Sequence, residues 1–315
     1  MIKLFSLKKK SLLILVDNIG PKKEHFAKLL SEHIGKTAQV TLGKFDDIKI
    51  EIEGNKVNAY LGKVNLKSFD LVYFRRIDHS IFPLSHTLAL FFDKFKIKYF
   101  DTTFREVGAG GDKVTSITRL ALSGVSVPQT IFVTRTHMLE EADNIISKLG
   151  LPIIAKDTKA QGNTGIFVIN TKNDFKKLLE KYKIRSTGYP VQFLLQAFID
   201  IDKEFRLLVL KDKVAAAHKK HKRDYKTLVV GWVNPDDDEL EFVNINSIPD
   251  VLKKEAVKAA KALNVEIAGV DGCLLKKSNK PVIIEVNRGP GFEYDAKKSP
   301  EVPEVANFLK KELSK

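Results

Sequence analysis

The chain has 315 residues, 43% hydrophobic and 29% charged, with a formal net charge of +14 at pH 7. That length implies two or three compact units, and that composition excludes a disordered chain. No run is long enough for a membrane span, and the single cysteine, Cys273, excludes an internal disulfide or a cysteine metal cluster.

Leu12–Val16, behind Lys8-Lys9-Lys10, is too short for the apolar region of a signal peptide. It reads as the first core strand, within Lys10–Asp17, so a cytoplasmic protein is expected. Phe26, Leu29, Leu30 and Ile34 have helical spacing over Glu24–Ile34. Strands follow at Ile48–Ile52 and Lys56–Tyr60, joined by Glu53-Gly54-Asn55 as a hairpin turn. Phe69–Arg76 reads as a strand, Phe82–Lys94 as a helix and Ile97–Phe100 as a strand. This alternation predicts a parallel sheet. The glycine fingerprint of a dinucleotide fold does not follow the first strand, which argues against a nicotinamide cofactor.

Phe104–Gly111 reads as a linker. A helix over Asp112–Ser123 has Asp112 as its N-cap, Leu120 and Leu122 facing inward and Gly124 as its stop. Gln129–Thr134 reads as a strand and Thr136–Leu149 as a helix. Leu151–Lys156 is a short strand ending on a lysine, followed by the small polar loop from Asp157 to Gly165 and a strand at Ile166–Ile169. Small residues let backbone N–H groups cradle phosphate, although this loop lacks the Walker pattern. An ordinary hairpin loop is the alternative.

Asn173–Lys183 reads as a helix and Val191–Phe198 as a strand. Glu204–Leu210 and Lys213–Ala217 form a strand pair turning at Lys211-Asp212, with Phe205, Leu207 and Val209 on the apolar face. Glu204 and Arg206 share the other face, either as a surface ion pair or as site residues. The densest basic run is His218-Lys219-Lys220-His221-Lys222-Arg223. It suits a cleft for anionic substrates or a nucleic-acid patch, with His218 and His221 as exposed members or, alternatively, as acid–base groups. Pro249–Leu263 reads as a helix with Val251, Leu252, Ala256, Ala259, Ala260 and Leu263 facing in. Pro303–Leu313 closes the chain as a helix striped by Val305, Leu309 and Leu313.

The most informative stretch is Val265–Phe292. Two apolar runs, Val265–Leu275 and Pro281–Asn287, flank a polar turn at 276–280. With Ser278 at the centre, Asp271 falls opposite Glu285, and Asn287 shares Glu285's face. Val270, Gly272, Leu274, Val282, Ile284 and Val286 form the opposite, core-like face. Facing carboxylates repel, so a cation between them is expected; an edge hairpin whose acids simply face water is the alternative. Two carboxylates and an amide suit Mg²⁺ or Mn²⁺ with room for phosphate oxygens. Cys273 lies on the same face and reads as a small buried filler.

The phosphate hairpin, the acidic hairpin and the basic stretch between them resemble the ATP-grasp superfamily, and within it the RimK-like carboxylate–amine ligases. The sharpest match is AGVDGCLL…PVIIEVNRGPGF, similar to that family's AGVD…EVN.SPG signature. The resemblance covers roughly Asp112 to the C-terminus and, more loosely, the first hundred residues. It implies an α/β (α+β) ATP-grasp fold: an N-terminal pre-ATP-grasp α/β domain over 1–104 and two α+β subdomains, 105–190 and 191–315, sandwiching ATP. Lys113 and Lys156 then match the ATP-contacting lysines. The segment Ala160, Gln161, Gly162 to Gly165 matches the loop over the triphosphate. Gln196, Ala197 and Phe198 match the adenine hinge, with Ala197 in place of the usual acid. Glu204 matches the ribose acid and Arg206 the arginine of the acid-x-Arg pair. Lys226 and Thr227 fall near an Arg-Ser-Asn stretch whose Asn is here Leu228. Asp271, Glu285 and Asn287 match the metal ligands.

The resemblance implies attack of a carboxylate on the γ-phosphate of ATP, then displacement of phosphate from the acylphosphate by an amine. Positioning and charge neutralisation carry such chemistry. Arg206 and Arg288 are the expected stabilisers of the acylphosphate or carboxylate, and Arg288 the first expected substrate contact. Glutamate, another amino acid or an acidic peptide or protein is the expected partner, and a homo-oligomer is compatible with it. Two other readings remain open: a basic nucleic-acid-binding protein, and an ATP-binding protein of this fold without ligase activity.

Overall fold

A computed structural model of the chain describes residues 9–53, 56–77, 81–106, 112–160, 165–184, 190–220, 240–295 and 297–315. The turn residues Gly54 and Asn55, most of the linker to Gly111, Gln161, Gly162, His221, Lys226, Thr227 and Leu228 lie outside the described residues.

β1 (Lys10–Val16) is the centre of the first unit. It pairs in parallel with β2 (Ala38–Lys44) and with β6 (Leu71–Phe74), which pairs in parallel with β7 (Lys98–Phe100). Both faces are covered, which is why β1 is apolar at consecutive positions. Leu12, Ile14 and Val16 pack on α1 (Pro21–Ile34) through Phe26, Leu30 and Ile34. Leu13 and Leu15 pack on the side of α2 (Phe82–Phe95) with Leu88, Ala89 and Phe92. The expected parallel sheet is therefore present. Its edge strand β2 escaped the sequence pattern because AQVTLGK is polar at several positions and half-buried. β3 (Ile48–Glu53), β4 (Lys56–Leu61) and β5 (Val64–Asn65) form a separate antiparallel sheet.

α3 (Lys113–Leu122) is capped as expected: Asp112 Oδ1 accepts the N–H of Val114 at 2.6 Å and of Thr115 at 3.3 Å. Its buried residues are Ile117 and Leu120. Leu122, expected inside, is 83% exposed, because two helical steps carry it to the opposite side of the helix from Leu120. β8 (Thr130–Phe132), β9 (Ile153–Asp157), β10 (Ile166–Ile169) and β11 (Phe193–Ala197) make an antiparallel sheet in the order β10-β9-β11-β8. It is backed by α4 (Ala142–Leu149) and α5 (Lys172–Lys181). The α4 region was expected to be helical from Thr136, but Arg135–His137 is a 3-10 turn. β11, which lies after the expected boundary at residue 190, pairs within this sheet. α3 packs instead in the core of the last lobe.

That lobe is a five-stranded antiparallel sheet. β12 (Ile201–Leu210), β13 (Lys213–Lys220), β14 (Leu240–Phe242), β15 (Ile267–Leu275) and β16 (Pro281–Arg288) run in the order β14-β13-β12-β15-β16. Its back face, with Phe205, Leu207, Val209, Val270 and Ile283, packs on α6 (Asp250–Ala262). Leu252, Ala256, Ala259 and Ala260 of α6 are buried as expected, but Val251 faces out at 52% exposure. The lower front face, with Leu208, Leu210, Ala216 and Ile267, packs on the first unit and α7 (Glu301–Leu313). The upper front face carries polar residues.

Polar contacts fix the first unit to this sheet. Asp101 Oδ1 accepts the N–H of Glu266 at 2.9 Å and of Ile267 at 3.0 Å. The buried Arg75 guanidinium lies 4.1 Å from the Phe26 ring centre and 4.5 Å from that of Phe292, and donates to Pro290 O at 3.0 Å. Such stacking with a fixed hydrogen bond suits a planar guanidinium. Among the described residues no helix is long and apolar enough to cross a membrane.

Candidate active site

The hairpin of β15 and β16 has the predicted register at its functional end. Asp271 pairs with Glu285, Val270 with Val286 and Gly269 with Asn287. A bulge then shifts the pairing between Asp271 and Gly272, so Gly272 faces Ile283 instead of Ile284. This corrects the expected core face: beyond the bulge the fully buried Ile283 takes the place assigned to Ile284. An extra residue bends the strand and re-aims side chains locally, here next to the paired acids.

Asp271 is the hub. It is 3% exposed. Arg206, its cross-strand neighbour on β12, donates to it through Nε at 2.9 Å and Nη2 at 3.0 Å. Lys220 Nζ lies 3.1 Å from Asp271 Oδ2 and 2.9 Å from Glu204 Oε1. Asn287 Nδ2 lies 3.5 Å from Asp271 Oδ2. Burial pushes the Asp271 carboxyl up, but Lys220 and Arg206 outweigh it and hold it well below the usual carboxylate range. Burial likewise opposes the charge on Lys220, and Asp271 and Glu204 reverse this and raise it.

Lys220 and His218 are where the sequence misled. β13 continues through the basic run, so alternation puts Ala216, His218 and Lys220 on the face of Glu204 and Arg206. Lys220 is nearly enclosed rather than solvated. His218, expected at the surface, is 6% exposed and sits 3.1 Å from Glu301 through Nε2. The signal was available: two residues after Ala216 and two more after that.

The middle lobe supplies the opposite wall. Lys156, on β9, interacts electrostatically with Glu285, Lys113, Glu204 and Lys220. Burial pushes it below the ordinary lysine range and Glu285 partly offsets this. Lys113, the first residue of α3, donates through Nζ to Ala160 O, and its N–H bonds Thr158 O at 3.2 Å. Gly165 closes the loop with φ +72°, where a Cβ would come within 2.7 Å of Asp157 Cβ. Only glycine suits that left-handed, crowded position.

At the proposed adenine hinge, Gln196 is buried and its Nε2 donates to Thr130 Oγ1 at 3.1 Å. The N–H of Ala197 is engaged by Gln129 O at 2.9 Å. Cys273 is fully buried, and burial with nearby Glu204 pushes its thiol up to about 12. It is the filler expected.

Arg288 departs from expectation. Strand alternation turns it away from Asn287, and its guanidinium lies 4.7 Å from the Phe82 ring centre and 5.1 Å from that of Phe104. Burial lowers its pKa to about 10. Of the two arginines expected around the reacting groups, Arg206 is in the cluster and Arg288 is behind it.

The donor set can hold a hard divalent cation. Among the described residues no group of three His, Cys, Asp or Glu side chains is placed to bind a metal alone. Asp271, Glu285 and the Asn287 amide offer an incomplete oxygen set, which suits an ion that keeps positions for phosphate oxygens and water.

Two antiparallel lobes, one carrying Lys156 and the other the Asp271 cluster, make a fold of the ATP-grasp type, and solved structures of that type share it. The RimK domain ATP-grasp protein from Sphaerobacter thermophilus superposes with a TM-score of 0.64 at 14% identity, over 95% of this chain and 98% of its own. The ATP-grasp ligase PsnB, solved with a minimal precursor, Mg and ADP, does so at 0.68 and 12% identity, over 96% and 97%. A family model described as the RimK-like ATP-grasp domain matches residues 110–301. A protein of Picosynechococcus sp. named "Probable alpha-L-glutamate ligase" is 24% identical over 253 residues, 76% of this chain and 78% of that protein. Its namesake in Cellvibrio japonicus is 25% identical over 236 residues, 74% and 73% of the two chains. The chain belongs to the RimK-like ATP-grasp family, whose members are ligases.

Proposed function

We propose that this protein joins a carboxylate to an amine at the expense of ATP, with glutamate or another amino acid as one substrate and an amino acid or acidic peptide as the other. The observation carrying this reading is the Asp271 cluster on one lobe with Lys156 on the other. The names of the relatives favour glutamate, and the peptide-bound neighbours favour a peptide acceptor.

The roles follow from charge and position. Lys156, Lys113 and the loop from Ala160 to Gly165 hold the triphosphate, and the chain at Gln196–Phe198 borders the adenine. Glu204 accepts from the ribose hydroxyls while Lys220 neutralises its other oxygen. Asp271, Glu285 and Asn287 would hold Mg²⁺ or Mn²⁺. When bound, that ion neutralises phosphate charge and orients phosphate oxygens. The substrate carboxylate attacks the γ-phosphorus and ADP leaves. The amine then attacks the acyl carbon, loses a proton and expels phosphate. Arg206 and Lys220, both bonded to Asp271, stabilise negative charge on the transferred phosphoryl group. Arg288 serves to seat the hairpin against Phe82 and Phe104.

The test is ADP release with Mg²⁺ across a panel of amino acids and acidic peptides. A pair that stimulates release and yields an amide supports the reading. Salt-sensitive nucleic-acid binding without stimulated ADP release would support the basic nucleic-acid-binding alternative.

A further inference from the structure

The tandem Arg75-Arg76 follows β6, at the carboxyl edge of the parallel sheet, where open α/β sheets bind ligands. The two arginines do different things. Arg75 is 1% exposed, stacked between two rings and bonded to Pro290 O, so it is structural. Arg76 is exposed and has a left-handed backbone, φ +49°. A long side chain rarely adopts that conformation, and such outliers gather at functional sites.

The loop after the acidic hairpin is shaped around Arg76. Gly289 has φ +55°, and a Cβ there would lie 2.6 Å from Arg76 N. A Cβ on Gly291 would lie 3.0 Å from Arg76 Nη2. Arg76 Nε donates to Gly289 O over a long 3.4 Å. Pro290 in turn folds back beside Asn287: a Cβ on Gly269 would meet Pro290 Cβ at 2.8 Å and Asn287 Cβ at 3.8 Å. Arg76 thus stands one loop's width from the last residue of the Asp271 cluster. Among the described residues no carboxylate forms an ion pair with it; nearby Asp17 is bonded to Lys23. Although the residue as a whole is exposed, partial desolvation and neighbouring Arg75 disfavour its charge against the smaller opposing effect of Tyr294, Tyr73 and Asp17, and an arriving anion relieves this.

We propose that Arg76 determines substrate specificity by receiving a carboxylate other than the one that reacts, so that the site selects an acidic amino acid such as glutamate. This rests on the ligase reading for its meaning, though not for its test. The reacting carboxylate must approach the phosphate beside Asn287, and Arg76 lies one loop beyond. A second carboxylate at that distance distinguishes glutamate from glutamine, through a planar donor suited to bidentate pairing.

The experiment is calorimetric titration of L-glutamate and L-glutamine into protein saturated with Mg²⁺ and a non-hydrolysable ATP analogue. Wild type is compared with Arg76→Asn, which tolerates the left-handed backbone, and with Arg76→Gly, which relieves it. The expected result is a preference for glutamate of roughly tenfold or more in wild type, lost in both variants, with the ATP-analogue affinity unchanged. Equal glutamate binding by wild type and variants, or a wild type that does not prefer glutamate, overturns the assignment. An Arg76-dependent preference without ADP release for any substrate pair would keep the assignment and remove the ligase reading.

Discussion

Lys220→Met tests the electrostatic core of the site. Lys220 lies 3.1 Å from Asp271 and 2.9 Å from Glu204, with its side chain 9% exposed. At an effective dielectric of about 20, a pair at 3.1 Å attracts by about 5 kcal/mol before desolvation. Breaking a buried pair and leaving the carboxylate behind costs about 3–5 kcal/mol net. Lys220's folded pKa is raised, so its contribution is fully present below the ordinary lysine value and is lost only as pH rises through the folded one. At pH 7 the whole effect is therefore visible. Without nucleotide, Lys220→Met lowers the thermal midpoint by on the order of 10 °C, while Lys220→Arg retains most of the stability. Glu204→Gln added to Lys220→Met restores part of the loss, because it removes one stranded charge. A Lys220→Met protein as stable as wild type would refute the reasoning. It would mean that Arg206 alone balances both acids.

Other outcomes follow from the same geometry. Wild type gains thermal stability with ATP and Mg²⁺, and Glu285→Ala gains little; equal shifts would remove Glu285 from the metal set. Lys156 is held below the ordinary lysine range, so ATP affinity falls by about threefold or more as calorimetry is moved from neutral pH toward that range. Lys156→Arg, charged throughout, flattens this dependence, and an unchanged pH profile would contradict the assignment. Gly289→Ala and Gly62→Ala both place alanine at positive φ, but only the first meets a neighbour, Arg76 N at 2.6 Å. Denaturation should separate them by about 2 kcal/mol or more. Asp271's folded pKa is depressed, so its stabilising contribution is present above the ordinary carboxylate value and lost as pH falls through the folded one. Acid titration followed by circular dichroism should find Asp271→Asn less stable at neutral pH and less sensitive to acid.

How much of this was legible depended on where periodicity stayed intact. Counting from Ser278 reached the Asp271–Glu285 pairing because the bulge between Asp271 and Gly272 offsets a turn whose adjacent pairs run one residue out of that count. The face between the acids and the turn could not be read, since a bulge adds a residue without a sequence mark and exchanges Ile284 for Ile283. Lys220 and His218 were hidden by composition: a basic run looks solvated, yet the strand carries it past two buried acids. Leu122 and Val251 were misassigned because an apolar residue on a helix need not lie on its buried stripe. Arg288 departed from expectation because strand alternation turns it toward Phe82 and Phe104, and no local pattern marks the close approach of Arg76 to the Gly289–Gly291 loop.

The most direct test of the central claim, activation of a carboxylate by ATP at the Asp271–Lys156 face, is trapping with hydroxylamine. Wild type with ATP, Mg²⁺ and the preferred acid should form one acyl hydroxamate per ADP released, and Glu285→Ala should form neither. ADP release without hydroxamate, or hydroxamate formation undiminished in Glu285→Ala, would contradict it.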